Sequence, residues 1–333
     1  MARSQIIFTL GDPLSVNCEG LFTILETSKI TQYCPVVVIG SRWQIEHQSK
    51  VLSKNLPLYQ TLTELDQPLN PGFYSFDPSP IIGREPPENL SEEIRGQMMV
   101  SYLNAIPKNM QMPFAVLTGP IDKHVASLGE FKFPGQTEFF EHHWQGEALM
   151  LLAGPKLRVG LATNHLPLKD VPKAMTQPLI LRKLAIFAEG LRNIYGITHP
   201  KIAVCGLNPH CGDRGLFGSE EIEIIRPAIE AFQNNFAWTT VSGPLPADTV
   251  FHSAAQGLFD GVLAMYHDQG LGPLKTIHFD TAVNVSVGLR NLRVSPDHGP
   301  AASLYGKGTA SMKSFTAAFD LCEKWLEQHG ANS

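Results

Sequence analysis

Short apolar runs alternate with helical segments through most of this chain, and this alternation constrains the fold more than any other feature. The apolar runs are typical of buried strands: Ile6–Leu10, Pro35–Gly40, Met112–Leu117, Leu157–Ala162, Lys201–Cys205, Trp238–Val241 and Gly261–Met265. The helical patterns include Pro178–Tyr195, Glu220–Phe232 and Ser311–His329. Strands that alternate with helices predict an α/β architecture with a largely parallel sheet.

Length, charge and cysteine usage narrow the class of protein. A chain of 333 residues is long enough for two domains. Its formal net charge of −5 argues against general affinity for nucleic acid, which needs a basic surface. The five cysteines form no C-x-x-C pair, as expected for reduced thiols. With no signal peptide and no apolar stretch near the roughly 18 residues of a membrane span, we expect a cytoplasmic protein without a membrane partner.

Three of the apolar runs lead into short polar segments that each contain a histidine. These are His165, His210 and His267, and each has an asparagine or aspartate close by in the sequence, such as Asp268. Such neighbours can orient an imidazole for metal binding. Three protein ligands would leave coordination positions for a substrate, which predicts a catalytic divalent-metal site. A structural role for each histidine is the alternative.

A second set of polar residues suits an anionic substrate. Lys275, Asn284 and Arg293 follow the third histidine, and Gln136-Thr137 lies in a polar loop between aromatic residues. Cationic forks and hydroxyl groups bind phosphate and carboxylate, although solvated surface and a helix cap are the alternatives. The segment Gly11–Asn17 after the first strand lacks G-x-G-x-x-G, so a nicotinamide cofactor would need a fold other than the Rossmann type.

Together these motifs resemble a known family. The similarity lies in Gly119–Phe140, Gly206–His210, Gly243–Thr249, Ala264–Gly270 and Asp297–Gly299. These segments closely resemble the 4-hydroxythreonine-4-phosphate dehydrogenases of pyridoxal phosphate biosynthesis (the PdxA family), and the likeness covers most of the chain from Leu117 onwards.

The resemblance implies a fold similar to isocitrate and isopropylmalate dehydrogenases, with two α/β/α domains and an interdomain cleft. Residues 1–130 and 300–333 would form the nucleotide-binding domain, and residues 131–299 would form the domain for metal, substrate and dimer contacts. NAD or NADP would bind at a loop containing His298, Gly299 and Ala301. Pro300 stands in that loop where the family usually has threonine.

The resemblance also implies a role for each candidate residue. His165, His210 and His267 match metal ligands, with His267 acting across a homodimer interface. Substrate-binding positions match Gln136, Thr137, Lys275, Asn284 and Arg293. Gln136 stands where the family usually has histidine, and the Gly11–Glu19 loop lacks two of the usual glycines.

The implied reaction is oxidation of 4-phosphooxy-L-threonine to 2-amino-3-oxo-4-phosphooxybutanoate, which decarboxylates to 3-amino-2-oxopropyl phosphate. Lys275 and Asp268 are the candidate catalytic bases. Imidazole ligands suit zinc, cobalt or manganese, and magnesium less well. One alternative is the same chemistry on a related phosphorylated four-carbon hydroxy acid of the threonate or erythronate type. Another is a metal- and anion-binding protein that has lost hydride transfer.

Overall fold

The described part of the chain forms two compact units. The computed structural model describes residues 4–65, 67–79, 82, 84–107 and 113–330. Unit 1 contains the described residues of 1–144 and 290–333, and unit 2 contains residues 145–289. The α/β class expected from the sequence is confirmed, because strands and helices alternate along most of both units.

Unit 1 is built from both ends of the chain. Its strands are β1 Gln5–Thr9, β2 Pro35–Ile39, β3 Gln60–Thr61, β4 Gly72–Phe76, β5 Phe114–Thr118 and, late in the chain, β12 Leu292–Pro296. Its helices are α1 Asn17–Thr27, α2 Arg42–Val51, α3 Glu92–Asn104, α4 Lys123–Leu128, α5 Gln136–His143 and, at the end of the chain, α11 Lys313–Gly330. The strands lie in the order β3-β4-β2-β1-β5-β12 and all pair in parallel.

The core of unit 1 depends on close contact between the first and last helices. A Cβ atom at Gly20 in α1 would lie 2.6 Å from the ring of Phe315 in α11, so only glycine allows this approach. Phe315 is fully buried and also contacts Phe8 of β1, with ring centroids 6.1 Å apart. The C-terminal helix is therefore part of the N-terminal core.

Unit 2 is continuous in sequence. Its strands are β6 Gly146–Ala153, β7 Arg158–Leu161, β8 Lys201–Cys205, β9 Thr240–Leu245, β10 Gly261–Ala264 and β11 Val283–Leu289. Its helices are α6 Val171–Ala174, α7 Gln177–Tyr195, α8 Arg226–Asn235, α9 Ala247–Ala255 and α10 His267–His278. The strand order is β11-β6-β7-β10-β8-β9, and the pairs are parallel except where β6 meets β11 and β7.

Helix α7 shows how the sequence builds unit 2. It begins where the Thr176 side chain caps the Leu179 N–H, and it ends at Gly196, which has a φ of +70°. Its buried face includes Phe187, which packs against Gly160 of β7 and Gly261 of β10. A side chain at either glycine would displace this ring, so the helix is held close to the sheet.

Most predicted elements are present, with small shifts of their ends. The helix predicted over Glu220–Phe232 begins with a π-helical turn, Glu221–Ile225, before α8. Met112, in the predicted third strand, lies outside the described residues. Strand β6 was missed, because an apolar run such as Ala148–Leu152 has no periodicity that distinguishes a strand from a buried helix.

The unit boundaries differ from those expected at residues 130/131 and 299/300. The first lies after Trp144, because that indole packs edge-on against Phe114 of β5, with ring centroids 5.7 Å apart. The second lies before Arg290, because β12 pairs with β5. Within the described residues, no helix combines the length and the hydropathy of a membrane span.

Candidate active site

The three candidate histidines follow the carboxyl ends of three neighbouring parallel strands. His165 follows β7, His267 follows β10, and His210 follows β8, in a sheet where β10 lies between the other two. The three loops therefore lie at one edge of the sheet. In open α/β sheets this carboxyl edge is where ligands bind.

Hydrogen bonds tie the three loops to one another. Thr163, before His165, donates its hydroxyl to the Met265 carbonyl oxygen at 2.7 Å. The Gln269 side chain accepts the Met265 N–H at 2.7 Å and donates to the Gly206 carbonyl oxygen at 2.8 Å. Gln269 lies in the segment Ala264–Gly270 that carries part of the family resemblance, but the sequence did not predict its bridging role. These bonds fix the strand ends from which the histidines project.

His165 and His267 of the same chain lie together. Their ring centroids are 5.8 Å apart, with an angle of 39° between the rings. His267 Nδ1 lies 2.7 Å from Asp268 Oδ1, so Nε2 is the nitrogen left for another partner. A cavity of about 430 Å³ lies against both histidines, and its lining includes Leu166 and Tyr266.

His210 is separate from this pair and exposed. It begins a run of positive φ angles: +51° at His210, +54° at Cys211, +74° at Gly212, +39° at Asp213 and +58° at Arg214. Left-handed backbone costs about 1–2 kcal/mol for each residue other than glycine. Among the described residues, no three histidine, cysteine, aspartate or glutamate side chains are grouped so that they could hold a metal ion. One chain thus brings together two of the three predicted ligands.

Lys275 and Asn284 also belong to unit 2. Lys275 is half-buried in the last turn of α10, about 12 Å along the helix axis from His267. Asn284 lies on β11 opposite Leu152 of β6. Its Oδ1 atom is buried and has no hydrogen-bond partner in the described part of the chain. A buried acceptor of this kind is available to a ligand.

Arg293 is a buried cation in unit 1. It is 3% exposed, and its Nε and Nη2 atoms donate to Thr118 Oγ1 at 3.1 and 2.8 Å. The guanidinium carbon lies 5.8 Å from the centre of the Phe140 ring. Burial lowers the pKa of Arg293 to about 10, and the nearby Glu138 carboxylate opposes this shift. The side chain therefore stays charged at neutral pH, as an anion site requires.

Gln136 and Thr137 form the first turn of α5 in the same unit. Both are buried, and helix N-termini favour anions because their N–H groups point outwards. Gln136 Nε2 donates to the Gly119 carbonyl oxygen at 3.2 Å. Only nitrogen can donate to a carbonyl, which fixes the amide orientation. Gln136 Oε1 is then a buried acceptor with no partner among the described residues.

The predicted cofactor loop contacts the loop after β1. The Pro300 carbonyl oxygen accepts the Val16 N–H at 3.1 Å, and Ala301 has a φ of +53°. His298 Nδ1 lies 2.8 Å from the Gly299 carbonyl oxygen, while His298 Nε2 is buried without a partner in the described residues. A neutral histidine that donates from Nδ1 presents Nε2 as an acceptor.

Glu19 binds the glycine-rich segment that follows the predicted cofactor loop, and the sequence did not predict this contact. Burial raises the pKa of the Glu19 carboxyl group, and hydrogen bonds from the Gly308 and Gly306 N–H groups oppose the shift. Both glycines have positive φ, +68° at Gly306 and +64° at Gly308. An acidic residue in the first turn of α1 gave no sequence signal for this contact.

The chain is similar to one family over nearly its full length. The sequence profile of the pyridoxal phosphate biosynthetic protein PdxA matches residues 32–322. The chain is 35% identical to a 4-hydroxythreonine-4-phosphate dehydrogenase of Desulforapulum autotrophicum, covering 99% of this chain and 98% of that protein. It is 36% identical to one of Desulfosudis oleivorans, covering 96% and 95%.

The fold is similar as well. The crystal structure of a 4-hydroxythreonine-4-phosphate dehydrogenase from Klebsiella pneumoniae matches with a TM-score of 0.77 and 29% identity. The match covers 97% of this chain and 99% of that one. The resemblance seen in the motifs is confirmed by these matches, and the chain belongs to the PdxA family of pyridoxal phosphate biosynthetic proteins.

Proposed function

We propose that this protein is an NAD(P)- and divalent-metal-dependent 4-hydroxythreonine-4-phosphate dehydrogenase. It oxidises the C3 hydroxyl of 4-phosphooxy-L-threonine and passes hydride to the nicotinamide. The product, 2-amino-3-oxo-4-phosphooxybutanoate, loses carbon dioxide to give 3-amino-2-oxopropyl phosphate. The observation that carries the proposal is the His165–His267 pair, oriented by Asp268 beside a cavity at the carboxyl edge of the sheet.

The donor chemistry of the histidine loops fits a transition metal. A neutral imidazole whose second nitrogen meets a carboxylate is the usual ligand arrangement, and His267 with Asp268 has it. Imidazole nitrogen favours zinc, cobalt or manganese over magnesium. His165, His210 and His267 would hold the ion, and one of these three imidazoles would come from the partner subunit. When bound, a divalent cation lowers the pKa of a substrate hydroxyl and stabilises the enolate left by decarboxylation.

A homodimer is part of this proposal, because one chain groups only two imidazoles in its described residues. Apolar side chains near the histidine loops are exposed, which supports a subunit interface: Leu168 is 67% exposed, Leu216 72% and Phe217 50%. Sedimentation of the wild type and of Phe217→Asp tests this. A monomeric wild type would contradict the shared site.

Unit 1 supplies the groups that suit the substrate phosphate. Arg293 presents a buried guanidinium whose Nε and Nη2 atoms are oriented by Thr118 Oγ1. Thr137 lies at the start of α5, where helix N–H groups favour an anion. A planar, permanently charged donor group and a helix N-terminus are both common phosphate ligands.

The cofactor loop fits a nucleotide by its unused acceptor. His298 Nε2 is a buried acceptor without a donor in the described residues, and the amino group of adenine would supply such a donor. The positive φ of Ala301 and the open space around Gly299 leave the backbone accessible to a flat ring. His298, Gly299 and Ala301 would hold NAD or NADP, which supplies the hydride acceptor.

Lys275 is our choice for the group that moves the substrate proton. Asp268 is the weaker candidate, because its Oδ1 atom is already engaged by His267 Nδ1. Its role is then to fix the imidazole. Lys275 carries an ammonium group on a flexible stem, and Cα–Cβ bonds in a helix tilt towards the N-terminus, which is the end of α10 where His267 lies.

The test starts from metal-free protein and measures the reduction of NAD and of NADP by 4-phosphooxy-L-threonine. The rate is compared before and after cobalt or zinc is added. We expect turnover of 4-phosphooxy-L-threonine only with metal, and its loss in His165→Ala. His252→Ala, an exposed histidine of α9, is the matched control. Metal-independent turnover would refute the metal role. Cofactor binding without any turnover would favour the metal- and anion-binding protein that has lost hydride transfer.

One observation keeps a second substrate open. With Nε2 held by Gly119, the unpartnered Oε1 of Gln136 needs a donor, and a phosphate dianion has none. The hydroxyl groups of a phosphorylated threonate or erythronate would satisfy it, as would the hydroxyl and ammonium groups of 4-phosphooxy-L-threonine. The four-carbon hydroxy acid is the second candidate, and the same assay with both substrates decides between them.

A further inference from the structure

The loop that carries His210 encloses a carboxylate from the following π-helical turn. Glu221 is 1% exposed, and its Oε1 atom accepts the Asn208 backbone N–H at 2.7 Å. Its Oε2 atom accepts from Asn208 Nδ2 at 3.0 Å, and Glu220 Oε2 accepts from the same nitrogen at 2.7 Å. Asn208, two residues before His210, is thus held by three hydrogen bonds.

Two glycines show how closely the loop surrounds this carboxylate. A Cβ atom at Gly212 would lie 2.8 Å from Glu221 Oε2, and one at Gly206 would lie 3.1 Å from Glu221 Oε1. Side chains at either position would push the carboxylate away. The loop from Gly206 to Gly212 is therefore wrapped around Glu221, with His210 near its outer end.

The backbone of this loop needs such support. Positive φ angles at His210, Cys211 and Asp213 are unfavourable for residues with a side chain, and they persist only where the surroundings impose them. Glu221 is 1% exposed, and its two carboxyl oxygens accept from the two Asn208 donors, which compensates the burial of this polar group. A carboxylate can accept from both donors at once, whereas a glutamine has one acceptor oxygen and would turn an N–H towards the other donor.

From this geometry we infer that Glu221 is a positioning residue that sets His210 for metal binding. This role rests on the proposed function, because it requires His210 to be a metal ligand. Removing a group that orients a metal ligand lowers metal affinity by about 10- to 100-fold. The effect of Glu221 passes through His210, so it should vanish when that imidazole is absent.

The experiment is a double-mutant cycle on cobalt affinity, read from the visible absorption of bound Co²⁺. We expect Glu221→Gln to weaken binding by about 10- to 100-fold when His210 is present, and by less than about twofold in the His210→Ala background. Glu223→Gln, an exposed carboxylate in the same turn, should leave the affinity unchanged. Hydrogen exchange of the Asn208 backbone amide should be faster in Glu221→Gln than in the wild type, and it should be unchanged in Glu223→Gln.

The outcomes separate the two claims. Cobalt binding by wild type and by Glu221→Gln with equal affinity would overturn the role of Glu221 and leave the proposed function standing. Equal weakening in both backgrounds would show a general structural role and would also overturn it. If the wild type binds no cobalt, the metal site and this role both fail. If Glu221→Gln does not fold, Asn208→Ala removes the amide end of the same bonds and is expected to weaken cobalt binding.

Discussion

Replacing Arg293 by methionine should stabilise the ligand-free protein while it removes anion binding. Burial lowers the pKa of Arg293 to about 10, from an ordinary value above 12. Each tenfold change in acid dissociation is about 1.4 kcal/mol, so folding disfavours the charged form by roughly 3 kcal/mol. Because the pKa is lower in the folded state, this charge opposes folding at every pH below about 10.

The gain in the free energy of unfolding is reduced because Arg293→Met also loses the hydrogen bonds to Thr118. The contact between the guanidinium and Thr118 Oγ1 contributes about 1–1.5 kcal/mol. Methionine also packs well against an aromatic ring such as Phe140. We therefore expect Arg293→Met to raise the free energy of unfolding at neutral pH by about 1–2 kcal/mol.

Urea unfolding with and without inorganic phosphate measures both effects. Phosphate at a hundred times its dissociation constant should stabilise the wild type by about 2.7 kcal/mol and leave Arg293→Met unchanged. Arg42→Met, an exposed arginine of the same unit, is the control that should keep the phosphate effect. If ligand-free Arg293→Met were less stable than wild type by more than about 1 kcal/mol, Arg293 would be a structural cation and the reasoning would be wrong.

Three further predictions concern other parts of the site. Lys275→Ala should abolish turnover while it retains cobalt binding, because we assign it proton transfer and no metal contact. Gln136→His should raise turnover of 4-phosphooxy-L-threonine and give kcat/KM an ionisation near pH 6.5, since an imidazole adds a titratable donor at this site. Burial and the nearby Lys156 lower the pKa of His278. The free energy of unfolding should therefore fall as the pH drops below 6.5, and it should fall by less in His278→Gln.

Each of these has a result that contradicts it. Turnover in Lys275→Ala that matches Lys173→Ala, an exposed lysine of the same unit, would exclude Lys275 as the base. An unchanged pH profile in Gln136→His would place this side chain away from the substrate. For His278, melting curves of both proteins between pH 8 and pH 5 should diverge towards acid, and parallel curves would show that its ionisation is unlinked to folding.

The sequence predicted the strand ends of unit 2 well, because the buried runs before His165, His210 and His267 are short and bounded by polar residues. It could not predict that His210 stands apart from the other two. The run of left-handed backbone that begins at His210 was not predictable either, because residues with a side chain keep it only where tertiary contacts impose it. Glu221 was missed for a related reason: an acidic residue at the start of a helical pattern normally indicates a solvated first turn.

The buried polar atoms show the same limit. Gln136 could be selected from its place in a motif, but the direction of its amide depends on the Gly119 carbonyl oxygen. Glu19 and the glycines at 306 and 308 are far apart in sequence, and no local pattern joins them. Contacts of this kind follow from tertiary packing, which residue spacing alone does not encode.

The division of unit 1 between the two ends of the chain has a consequence for synthesis on the ribosome. Thr118 at the end of β5 and Arg293 in β12 are 175 positions apart, yet their strands are paired. While unit 2 is being translated, β5 has an unpaired edge and the site of Phe315 beside Gly20 is empty. Open edges and exposed apolar surface attract other chains and chaperones. Nascent unit 1 should therefore depend on chaperone protection until the last helix emerges, whereas unit 2 can fold as soon as its own residues are free.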